Sequence, residues 1–189
     1  MDIAVSVVMG VCLAAAVGFR VFVPLLVLSA ASMAGYVPLA VGMEWVGSLP
    51  ALIVFASATV AEILAYYIPW VDNALDMIAS PAAVVAGTVV AASVLTDVSP
   101  MLRWVLAIVG GGGAAGLVKA GSVGLRLKSS AVTGGIGNPF LATGELAGSV
   151  ITSVLAILVP VVTLLLLLAS AWLLVRLVRQ AWKTAAAVH

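Results

Sequence analysis

Arg20, Glu62, Lys119 and Glu145 each stand inside a long apolar run of this sequence. An ionised side chain at the centre of a bilayer costs at least about 2.5 kcal/mol on insertion scales, so charges in such runs are expected to be paired or to face water. Glu62 shares a helical stripe with Phe55, Thr59, Tyr66 and Pro69, which makes a partly polar face. By charge and approximate depth, Arg20 is its expected partner, and Lys119 is that of Glu145. Two chemistries follow. In the first, the ion pairs only fix helix packing. In the second, they line a polar cavity that binds a charged solute or relays protons, with Arg20, Glu62, Tyr66, Lys119, Glu145 and Asn138 along the pathway. Lys119 and Glu145 lie nearer helix ends, where snorkelling to the interface weakens their case.

Asp72 and Asp76 are one helical turn apart, with Asn73 beside them, in a short polar segment. Oxygen ligands of this kind suit Mg²⁺ or Ca²⁺, but two carboxylates fall short of the ligand count either ion needs, so a solvated polar turn is the favoured reading over a cation site. The only histidine is His189 and the only cysteine is Cys12, which leaves no His-based triad, zinc site or iron-sulfur centre to consider. No catalytic constellation is visible, so an enzyme is not expected and neither is a cofactor. The run Gly134 to Pro139 can present backbone amides to an anion, yet it matches no phosphate-binding pattern, and plain flexibility is the preferred reading. Eight Lys and Arg against seven Asp and Glu give a net charge of +1, with no basic field for nucleic acid.

The elements that must position these residues follow from composition. The chain has 189 residues, 65% apolar and 8% charged, where a soluble domain carries about 25% charge; its mean hydropathy is +1.32. The expected fold is all-α, a polytopic transmembrane helical bundle forming one domain over 1–189. At roughly 20 residues per span, about six spans fit with short connections. The first runs from Ile3 to Met33 and is expected to be tilted or broken, with a kink at Pro24. It is expected to be retained, because Met1-Asp2-Ile3 lacks the positive start of a signal peptide and Arg20 interrupts the apolar run. The second runs from Pro50 to Pro69, the third opens at Pro81, the fourth runs from Arg103 to Lys128, and Ser129 to Pro139 reads as a loop. The fifth ends near Leu158 and the sixth near Val178. Gly112 and Gly116 have the spacing that lets helix backbones approach closely, which puts the fourth helix at the centre.

Six spans place Arg126, Lys128, Arg176, Arg179 and Lys183 on the side of the N-terminus, and the positive-inside rule then puts both termini in the cytoplasm of a cell membrane. A weak internal likeness runs through the chain. Each half, 1–98 and 99–189, has a cation in its first helix, then a proline, a glutamate and a proline: Arg20, Pro50, Glu62 and Pro69, against Lys119, Pro139, Glu145 and Pro160. Three spans per half make an inverted 3+3 repeat with interrupted helices, an architecture found among secondary transporters.

The runs Gly18-Phe19-Arg20-Val21-Phe22-Val23-Pro24-Leu25 and Thr133-Gly134-Gly135-Ile136-Gly137-Asn138-Pro139, with Glu62, Ile68-Pro69, Asp72 and Asp76 in that order, resemble a family of bacterial integral membrane proteins. That family is catalogued as a domain of unknown function, number 4126. The likeness covers about Val11 to Pro160, although Gly144-Glu145 stands where an acidic pair is expected after the Asn-Pro. It implies a multi-span fold and brings no substrate. The leading functional expectation is a small transporter or channel-like permease for an ion or small solute. The alternative is a non-transporting scaffold or assembly protein, whose Gly112 and Gly116 face packs a partner or a second copy of the chain.

Overall fold

The computed structural model describes residues 2–68 and 71–186, with the side chains of 72, 73, 177, 178 and 181–186 outside the described set. Pro69, the side chain of Asp72, Lys183 and His189 therefore lie outside it. Its helices are α1 (Ile3–Phe19), α2 (Phe22–Met33), α3 (Leu49–Tyr66), α4 (Val71–Val94), α5 (Pro100–Leu106), α6 (Gly113–Thr133), α7 (Asn138–Leu158) and α8 (Pro160–Ala186). A 3-10 turn, Glu44–Gly47, precedes α3. The segment Ala107–Gly112 is a π-helix that joins α5 to α6 without interruption. Four stretches, Leu49–Tyr66, Ala74–Val94, Pro100–Thr133 and Asn138–Leu158, are long and apolar enough to cross a membrane. Large apolar side chains cover their outer surfaces, among them Ile53, Leu64, Leu117 and Ile151. The fold is an all-α bundle of the kind expected of an integral membrane protein.

α1 is the centre of the bundle. Cys12 to Gly18 is buried without a break, so this part of the helix has no polar face to give to water or a lipid face to give to the bilayer. It packs against α4, α6, α7 and α8. Small residues make that possible: a Cβ built on Gly18 would lie 2.5 Å from Val118.

The first apolar stretch is not one kinked span. It divides at Arg20, and the two parts run in opposite directions. The N-terminal half of α1 lies beside the C-terminal end of α4, where Gly10 meets Ala91 and Val94. α2 starts at the far end of the bundle beside Glu62 and returns, so that Ser32 lies against Gly47 and Ala40 N–H donates to Ser93 carbonyl oxygen at 2.8 Å. Pro24 explains the position of the break. Its ring and its missing N–H conflict with a helical carbonyl four residues earlier, which belongs to Arg20. The chain turns there, with Arg20 extended at φ −140° and ψ 127°, and Pro24 falls harmlessly in the first turn of α2.

Two other boundaries differ from the sequence reading. Pro81 does not open a helix but sits inside α4, which begins ten residues earlier at Val71. The polar segment before it is consequently helical, and its Asp76 is buried in the bundle. Ser129 to Thr133 continue α6 rather than forming a loop, and the chain turns only at Gly134 to Gly137. Gly134 at φ +63° ends the helix in the left-handed conformation. The cation-bearing helices α1 and α6 run parallel, with Val11 near Gly110 and Gly18 near Val118, so the likeness between them is one of sequence without inversion.

Gly112 packs as expected, but its partner is internal: Val84 and Thr88 of α4 fill the space beside it. The face proposed for a scaffold contact is thus occupied by the chain itself. Another close approach is at Gly111, where an added Cβ would lie 2.5 Å from Ala91 Cβ and 2.7 Å from Gly87 carbonyl oxygen. Gly111→Ala is therefore expected to cost about 1–3 kcal/mol through overpacking, measured by reversible unfolding in mixed micelles. Gly113→Ala, with nothing within 4 Å, is the control and should be neutral or slightly stabilising. Equal stabilities for the two variants would refute the contact between α4 and the π-helical segment.

Candidate functional site

The helix break exposes the first N–H groups of α2, which have no partner within their own helix. Glu62, near the C-terminal end of α3, accepts both: Val21 N–H at 2.8 Å on one carboxylate oxygen and Phe22 N–H at 3.1 Å on the other. A carboxylate at the positive end of a helix is favoured by the helix dipole as well as by these bonds. Glu62 is thus the cap of a broken helix rather than the ion-pair partner of Arg20; no pair between them within 4 Å occurs among the described residues.

One helical turn after Glu62 stands Tyr66, 2% exposed. The guanidinium of Arg20 lies over its ring at 3.8 Å from the centroid, and that of Arg126 at 4.3 Å. Both distances suit cation–π attraction. The phenol hydroxyl donates to Asp76 Oδ1 at 2.8 Å and accepts from Lys119 Nζ at 2.9 Å. Lys119 also donates to Asp76 Oδ1 at 2.7 Å. Asp76 comes from the first turns of α4, which explains why a segment read as a solvated turn supplies a carboxylate that is 7% exposed.

α6 contributes Lys119, Ser122 and Arg126, spaced so that all three share one face. Arg126 forms a two-pronged bond to Glu145 of α7, through Nε at 3.1 Å to Oε1 and through Nη2 to Oε2. Ser122 hydroxyl donates to the same Glu145 Oε1. Arg20 Nη2 donates to Ala142 carbonyl oxygen at 2.8 Å and lies 3.8 Å from Glu145 Oε2. The expected pairs are therefore exchanged. Lys119 belongs to Asp76, and Glu145 belongs to Arg126 with Arg20 beside it. Neither Lys119 nor Glu145 snorkels.

The structure brings together Arg20, Glu62, Tyr66, Lys119 and Glu145, and adds Asp76, Arg126 and Ser122. The sequence places Arg126 among the flanking basic residues and outside the candidate site, yet it is 1% exposed. Its signal was the α6 stripe it shares with Lys119. Asn138 is buried too, but it exchanges hydrogen bonds with Ser130 and fastens the α6–α7 turn. Among the described residues no group of three His, Cys, Asp or Glu is placed to hold a metal ion. Asp76 has Lys119 and Arg126 as its neighbours instead.

A family model described as "Domain of unknown function (DUF4126)" matches residues 7–180, a range that holds every member of the cluster. No curated protein and no solved structure matches the chain.

Proposed function

We propose that this chain, which belongs to the DUF4126 family, is a small permease of the cell membrane whose pathway passes through the buried charged cluster. One observation carries this reading: Arg20, Glu62, Asp76, Lys119, Arg126 and Glu145 converge at the point where the first apolar stretch is broken. A bundle that needed only stability has cheaper solutions, because replacing buried ion pairs by packed apolar residues is often neutral or stabilising. Discontinuous helices meeting at intramembrane charges recur in transporters, where the helix ends face the transported solute. That part of the argument is architectural analogy.

Tyr66→Phe is the substitution that tests it with least disturbance. It keeps the ring under both guanidinium groups and removes only the hydroxyl between Lys119 and Asp76. Flux of protons and small ions into liposomes holding the purified protein is expected to fall by about tenfold or more, equivalent to about 1.4 kcal/mol in the barrier. Unchanged flux through a folded variant would count against the pathway.

The geometry also favours an orientation. Because α1 and α2 run in opposite directions, the chain changes side once more than the six-span reading allows, and the N-terminus sits at the opposite end from Lys128. The positive-inside rule then puts Lys128 and the basic end of α8 in the cytoplasm and Asp2 outside. Asp2→Cys should react with a membrane-impermeant thiol reagent on intact cells, and Lys128→Cys only after permeabilisation; buried Cys12 gives no background. The reverse pattern would invert the assignment.

A further inference from the structure

We infer that the cluster is a receptor site for a small monovalent oxyanion, such as a carboxylate, held by the guanidinium groups of Arg20 and Arg126. This rests on reading the cluster as a solute site, and it names the solute class.

The argument is a count of donors and acceptors. Arg20 and Arg126 are each 1% exposed. Arg20 Nε and Nη1, and Arg126 Nη1, make no hydrogen bond to any described residue. Buried polar atoms nearly always have a partner, and each exception calls for an explanation. Most of the cluster's own acceptors are engaged. Both oxygens of Glu62 take backbone N–H groups. Glu145 is held by Ser122 and by both prongs of Arg126. Asp76 Oδ1 receives Tyr66 and Lys119, and its Oδ2 lies 3.8 Å from Arg126 Nε.

Among the cluster's charged side chains the buried atoms without a partner are all guanidinium donors; the hydroxyls of Ser29 and Thr59 are also without a partner, and a hydroxyl can donate or accept. A metal cation would have to strip carboxylates from the bonds they already make. Water brings two further donors wherever it brings an acceptor. An oxyanion brings acceptors alone, and planar guanidinium donors match its separated oxygens better than they match a spherical halide. Three cations, Arg20, Lys119 and Arg126, face three anions, Glu62, Asp76 and Glu145, so the site has no formal excess charge. That balance favours one negative charge over two.

The test is thermal unfolding of the purified full-length protein in a non-ionic detergent. Sodium formate and sodium nitrate are titrated separately against sodium chloride at matched ionic strength. A ligand that binds only the folded state raises the unfolding temperature by mass action. Formate or nitrate is expected to give a saturable rise that chloride does not, and Arg20→Lys, which keeps the charge but loses the planar donors, is expected to abolish it. The wild-type titration decides the matter even if that variant does not fold. No saturable rise with either oxyanion, an equal rise with chloride, or a rise that survives in folded Arg20→Lys would each overturn the inference. Oxyanion binding without any flux would remove the permease and leave the binding site. Cation flux with no oxyanion effect would do the reverse.

Discussion

Glu62→Ala is expected to destabilise the protein by about 3–5 kcal/mol, the range seen when a buried charge or charge-assisted network loses one partner. Two losses combine. The N–H groups of Val21 and Phe22 have no other acceptor at the start of α2, and each buried donor left without a partner costs about 1–3 kcal/mol. The favourable meeting of a carboxylate with the positive end of a helix is also removed. Glu62→Gln should be nearly as damaging, because its amide offers one oxygen where two are needed and turns its NH₂ toward an N–H. Reversible unfolding in mixed micelles measures both. A loss below about 1 kcal/mol for Glu62→Ala, the usual net value of a single neutral hydrogen bond, would mean that the break at Arg20 does not depend on this cap. The result bears on transport as well: lost flux in a Glu62 variant cannot identify Glu62 as a pathway residue, which is why Tyr66 is the better probe.

Lys119→Met should also cost about 3–5 kcal/mol, because it leaves the Asp76 carboxylate buried beside a phenol, with only the more distant Arg126 to compensate it. The double variant Lys119→Met, Asp76→Leu is expected to be more stable than the sum of its parts predicts, with a coupling of about 2 kcal/mol or more, since residues in one network are not additive. The cycle isolates the pair from general packing. Additive losses would show that the two residues fail for separate reasons. A double variant as stable as the wild type, yet without flux, would separate what the pair does for folding from what it does for function.

The class of the fold was legible because composition alone rules out water as the main solvent, and apolar run lengths mark the helices. The intramembrane charges were legible for the same reason: an ionisable residue in such a run is conspicuous. Their partners were not. Pairing Arg20 with Glu62 rests on charge and approximate depth with the kink at Pro24, whereas Pro24 acts on the carbonyl four residues earlier and turns the chain at Arg20 itself. With the turn there, the N–H groups of Val21 and Phe22 outcompete the guanidinium for Glu62. Asp76 and Arg126 were hidden by a boundary effect. Each lies where a hydropathy profile falls off, and residues at such edges look like flanking polar groups whether they point outward or in. The helical stripe through Lys119, Ser122 and Arg126 carries the correction, because the one charged face of an otherwise apolar helix has to meet the interior.

The break at Arg20 also has a bearing on how the molecule is made. α2 has 12 residues, so it is about 18 Å long, against a hydrocarbon core of about 30 Å. Such a segment is poorly suited to partition into the bilayer by itself, and its leading amides have no acceptor until residue 62 has been synthesised. α2 therefore reaches its final place only when α3 follows it and one carboxylate closes the join, while α1 waits for the later helices that surround it.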